Sequence, residues 1–142
     1  MKQVDMSDIR FDYREDILFR EYVLRHNDKK AWKEFCNLHS NRKVKYGKLF
    51  NFYKSIKAKG QKVAVFILLR DGNIYPLNGA TRLGCLRATG KEHVKVKVIT
   101  KEKMTRKWNH SFSLCSHHFT GLSPDTITKF KNFLADVYNY EY

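Results

Sequence analysis

The chain has 142 residues, 42% of them hydrophobic and 14% aromatic, enough for one domain with a real core and too apolar for a disordered chain. No apolar run reaches the length that spans a bilayer, Met-Lys-Gln-Val-Asp is unlike a secretory leader, and Cys36, Cys85 and Cys115 make no disulfide framework; a reduced, cytoplasmic protein without a membrane partner is expected. The formal charge of +14 is uneven, with 21 Lys/Arg against four Asp/Glu over residues 29–107, so the middle of the chain suits a polyanionic or phosphorylated partner unless those lysines are only a solubilising surface.

Residues 14–25 read as a helix with Ile17, Leu18, Tyr22 and Val23 as its buried stripe, Asp12 as a candidate N-cap, and Glu15 and Asp16 in the first turn. Asp28 caps a second helix to residue 38, with Ala31, Trp32, Phe35 and Leu38 on one face. Residues 40–43 connect it to a third helix over 46–59 that buries Leu49, Phe50, Tyr53 and Ile56 and stops at Gly60. Residues 63–69 form an apolar strand, 70–73 a turn and 74–77 a return strand. A short helix opens near Gly79 and stops at Gly90. The strand over residues 94–99 puts Val94, Val96 and Val98 on one face, with Lys95 and Lys97 on the other, where they extend an anion site or, more simply, protect a sheet edge. A basic segment over residues 101–106 follows. Ser123-Pro124 opens a last helix that buries Ile127, Phe130, Phe133, Leu134 and Val137.

The stretch Leu77-Asn78-Gly79-Ala80-Thr81-Arg82 carries the clearest functional signal. Glycine at a helix start lets the backbone approach a ligand closely, and the open N–H groups there attract anions. Arg82, one turn in, adds a fixed fork of donors matched to phosphate. The plainer alternative is a strand-turn-helix junction with Arg82 in solvent.

Gly79-Ala80-Thr81-Arg82 resembles the "G-x-x-R" box of the ParB/sulfiredoxin superfamily, seen there as "D-G-H-H-R", "G-E-R-R" or "G-G-C-H-R". Ser55-Ile56-Lys57-Ala58-Lys59-Gly60 resembles the "S-I-x-x-x-G" helix end before that family's first strand, and Lys91 to Ile99 its closing strand. The likeness to a ParB-like N-terminal or nuclease-like domain covers about residues 46–100. It implies an α+β fold with a small mixed sheet. Residues 1–142 would then form a single domain: a helical N-terminal arm (1–45), a core (46–100) and a C-terminal extension (101–142).

The departures from the family pattern narrow the chemistry it implies. Ala80 stands where sulfiredoxins carry their nucleophilic cysteine, which removes that redox route. Asn78 replaces the acid of "D-G-H-H-R" and Thr81 its second histidine, and an Asn cannot act as a general base. A carboxylate ahead of the sheet serves as base in kinases of the superfamily; Glu15 or Asp16 would be its counterpart, although acids in a first helical turn need no such role. The expectation is a nucleotide- or phosphorylated-ligand-binding domain, with phosphate held by Asn78, Gly79, Ala80, Thr81 and Arg82. Any phosphoryl transfer or nucleotide hydrolysis would fall to Glu15, Asn78 and Thr81, with magnesium accompanying the nucleotide. The alternative is a DNA- or RNA-binding module or nuclease using the basic middle segment.

Two further constellations are weaker. Cys36–His39 and Cys115–His118 share C-x-x-H spacing and could supply a zinc site, although free cysteines more often pack as small apolar groups. His110, with Asn109, Ser111, Trp108 and Phe112, either stacks on a base or anchors a C-terminal extension.

Overall fold

The computed structural model describes residues 2–11, 14–38, 45–100 and 121–138. A four-stranded mixed sheet runs in the order β1 (Lys2–Asp5), β4 (His93–Thr100), β2 (Val65–Arg70) and β3 (Asn73–Pro76). β1 pairs antiparallel to β4, β4 parallel to β2, and β2 antiparallel to β3. Among the described residues five α-helices complete an α+β fold: α1 (Glu15–His26), α2 (Lys29–Leu38), α3 (Tyr46–Lys59), α4 (Ala80–Thr89) and α5 (Pro124–Tyr138). Among the described residues no helix is long and apolar enough to cross a membrane.

The local chemistry explains most boundaries. Asp28 accepts from the Ala31 N–H at 3.1 Å and so caps α2. Gly60 ends α3 with φ +77°, and Gly90 ends α4 with φ +78°. Asp71 and Gly72 both have positive φ, the backbone of a two-residue hairpin turn between β2 and β3. Ser123 Oγ accepts from the Thr126 N–H at 3.3 Å and caps α5, with Pro124 in its first turn.

One cluster joins Val65, Ile67, Val94 and Val96 of the sheet to Phe19 of α1, Leu83 and Leu86 of α4, and Phe130 of α5. Residues 1–45 supply the edge strand β1 and the most deeply buried helix, α1, which lies along α4. Gly84 permits that closeness. A Cβ there would sit 2.6 Å from Arg20 Cβ and 3.3 Å from the Ile17 carbonyl. Buried charge is paired: the Glu21 carboxylate, with no exposed surface, accepts from Arg25 Nε at 2.7 Å and Arg87 Nε at 2.8 Å. Arg87 also lies 4.3 Å from the Phe11 ring centroid.

Several expectations are corrected. β1 has no counterpart in the predicted elements. Its presence pairs β4 over residues 93–96, so Lys95 does not guard an edge, while Lys97 falls just past the last residue paired with β1. Lys95 instead donates to the Gln61 carbonyl at 3.2 Å, and Lys97 lies 5.8 Å from the Phe66 ring. Leu38, expected on the buried face of α2, is 43% exposed because it falls at the helix end. Asp12, residues 40–43, residues 101–106, the Trp108–Phe112 cluster, and the Val137 side chain lie outside the described residues.

Candidate functional site

The site begins where β3 ends. The Leu77 N–H donates to the Phe66 carbonyl at 2.9 Å, and Asn78 Oδ1 accepts from the Phe66 N–H at 2.9 Å. Asn78 thereby extends the β2–β3 pairing past the last strand residue. Gly79 follows with φ +75° and ψ 34°, a left-handed conformation that side chains disfavour. Space forbids a side chain as well, since a Cβ would lie 2.6 Å from Val65 Cγ1. The glycine thus seats the start of α4 directly on β2.

No side chain caps that start. The first intrahelical bond runs from the Leu83 N–H to the Gly79 carbonyl at 2.7 Å, so helix geometry leaves the N–H groups of residues 80–82 without intrahelical acceptors. They carry the positive end of the helix dipole. A cavity of about 390 Å³ opens beside them. Gly79, Ala80, Thr81 and Arg82 form one wall; Arg20 of α1, Trp32 of α2 and Phe52 of α3 form the others. Arg82 makes no hydrogen bond or ion pair with any described residue.

Arg20 is held in place from behind. It donates to the Asp16 carbonyl at 3.0 Å, approaches the Asp16 carboxylate at 3.6 Å, and lies 5.3 Å from Trp32 and 5.4 Å from Phe35. Asp16 in turn accepts two bonds from Arg14, at 3.0 and 3.2 Å. Arg14 also donates to the carbonyls of Pro76 and Leu77, both at 3.2 Å. A continuous polar chain therefore links the last residues before the glycine turn to the cavity wall on α1. Asp16 is a positioning residue in this arrangement.

Of the residues expected from sequence, the cavity gathers Gly79, Ala80, Thr81 and Arg82. Asn78 and Glu15 do not line it. Arg20 both faces the cavity and pairs with an acid. Trp32 and Phe52 were missed as site residues. The signal for Phe52 was present, however: it is an aromatic out of phase with the α3 stripe of Leu49, Phe50, Tyr53 and Ile56, and it remains 37% exposed.

Other chemistry is poorly provided for. Cys85, in the same helix, is buried, and burial pushes its thiol up to about 12, which removes the nucleophilic thiolate at neutral pH. No group of three or more His, Cys, Asp or Glu among the described residues could hold a metal. Cys36 is partly buried; His39, Cys115 and His118, the remaining partners of the C-x-x-H pairs, lie outside the described residues. No family model, curated protein or solved structure matches the chain.

Proposed function

We propose that the protein binds a nucleotide or another phosphorylated ligand in the cavity at the N-terminal end of α4. One observation carries this reading: a helix start opened by glycine, without a side-chain cap, shares a cavity with Arg82, whose guanidinium has no partner among the described residues. Backbone N–H groups of residues 80–82 would receive the phosphate oxygens, Thr81 would add a hydroxyl, and Arg82 would neutralise charge. Arg20 raises the local potential, while Trp32 and Phe52 supply apolar wall for a base or sugar.

Binding is better supported than catalysis. No carboxylate among the described residues lines the cavity to act as general base, and Asp16 is committed to two arginines. Magnesium would arrive on the nucleotide's own phosphates, with the Thr81 hydroxyl as the side-chain oxygen available to it. The likeness of the box and its flanks to the ParB/sulfiredoxin pattern supports the same reading. The test is thermal unfolding with ATP, ADP, CTP and GTP, each with magnesium, for the native chain and Arg82→Ala. A ligand at about 100 times its dissociation constant stabilises by about 2.7 kcal/mol, which shifts Tm by several degrees. A shift with one nucleotide that disappears in Arg82→Ala is the expected result, and no shift with any of them removes the assignment.

A further inference from the structure

The ligand class can be narrowed by what surrounds the cavity on α3; this step rests on the phosphate-binding reading above. Residues 45–62 contain six lysines (Lys45, Lys48, Lys54, Lys57, Lys59 and Lys62) and no Asp or Glu. All six are exposed, and none forms an ion pair with a described residue. A merely solubilising helix face tolerates carboxylates among its lysines, and i,i+4 pairs of opposite sign would stabilise it. Here no carboxylate stands among the like charges; Lys54 and Lys57 lie over the rings of Phe50 and Tyr53, and the repulsion that is left is a cost that a polyanion would remove.

Phe52 lies within this field. Positions 48, 52, 55 and 59 follow one another at helical spacing, so Lys48, Phe52, Ser55 and Lys59 form a single exposed ridge about 17 Å long. Phe52 has no ring contact with another described aromatic, unlike its neighbours Phe50 and Tyr53, whose rings meet at a tilt of 43°. It faces the same cavity as Arg82. An exposed aromatic flanked by cations serves poorly in a protein core and well as a platform for an unpaired base. Bases inside a duplex are already stacked, so a lone ring platform distinguishes single strands from duplexes.

We infer that the phosphorylated ligand is a single-stranded nucleic acid, with one phosphate at Arg82, a base stacked on Phe52, and further phosphates along Lys48 and Lys59. The probe is a dye-labelled oligothymidylate of about 12 nucleotides, followed by anisotropy between about 50 and 200 mM salt. The single strand is expected to bind at least about tenfold more tightly than its duplex. Phe52→Ala should weaken binding about 5- to 100-fold with the salt slope unchanged, and Phe52→Tyr should restore it. Lys48→Gln with Lys59→Gln should reduce the slope of log affinity against log salt by about 1.4, two single-strand phosphates at about 0.7 each. All these positions are exposed, and unchanged Tm values confirm that the variants fold. Equal binding of duplex, equal competition per phosphate by inorganic polyphosphate, or indifference to Phe52→Ala overturns the inference. A nucleotide-dependent Tm shift without oligomer binding overturns it and leaves the nucleotide site standing; oligomer binding indifferent to Arg82→Ala overturns both.

Discussion

Two arginines on α4 stand about one and a half turns apart and meet opposite fates. Arg87 is buried, bonded to Glu21 at 2.8 Å and packed over Phe11, and its backbone carbonyl accepts from Arg25 at 2.7 Å. Arg82 is half-buried at the mouth of a cavity and meets no acceptor among the described residues. Burial next to a carboxylate turns one guanidinium into part of the scaffold. Placement at an uncapped helix start, away from carboxylates, leaves the other able to receive an anion. The same side chain on the same helix is thus paired and buried at one end and unpaired at a cavity mouth at the other, and neighbours from α1 make the difference.

That contrast can be broken experimentally. Arg87→Ala should have the largest effect, a loss of about 3–5 kcal/mol in urea unfolding, because the fully buried Glu21 carboxylate would lose the guanidinium that pairs it across to α4. A loss below about 1 kcal/mol would show that the pair does not hold α1 to α4. Arg82→Ala should do the reverse: stability within about 0.5 kcal/mol of the native chain, and about 1.5–3 kcal/mol of phosphate-ligand binding lost, measured by titration calorimetry. If both variants lowered stability alike, the division between scaffold and site would fail.

Gly84→Ala sharpens the comparison by disturbing the crossing without removing a charged group. With the Ile17 carbonyl 3.3 Å from the new Cβ, backbone must shift, and a loss of about 1–3 kcal/mol is expected in the same unfolding assay. The smallest effect concerns pH, far from both arginines. Burial pushes the Glu34 carboxyl up, but hydrogen bonds from Thr126 and Ser123, with the charge of Lys30, outweigh it and leave it below its ordinary value of 4.5. A depressed carboxylate stabilises the fold above its unfolded value, and that contribution disappears as pH falls through the folded value. Glu34→Gln should therefore flatten the fall in Tm below about pH 4.5, and an unaltered acid limb would rule out this tie between α2 and α5.

Much of the fold was legible because local chemistry punctuates it. Asp28, Gly60, Asp71-Gly72, Gly79, Gly90 and Ser123-Pro124 each impose a backbone state that neighbouring residues cannot override, so the elements from α2 to α5 fall close to where periodicity places them. β1 was not legible. Lys2–Asp5 has no apolar alternation and forms a strand only because β4 presents a row of backbone groups to it. α1 was half legible: its apolar stripe was clear, but burial of Asp16, Arg20 and Glu21 could not be read from a polar pattern. Their burial depends on Arg14, Arg25 and Arg87, the last of which is supplied by α4.

The candidate site divides along the same line. Gly79, Thr81 and Arg82 are consecutive or nearly so, and a helix start with an arginine one turn in is a local fact that the sequence alone determined. Arg20, Trp32 and Phe52 come from three other helices, and only the tertiary structure brought them to the same cavity. Composition carried the excess of positive charge; packing decided which cations stay unpaired among the described residues. Backbone conformation and charge are carried by short stretches of chain, whereas pairing, burial and the shape of a cavity depend on residues far apart in sequence, whose meeting no local pattern records.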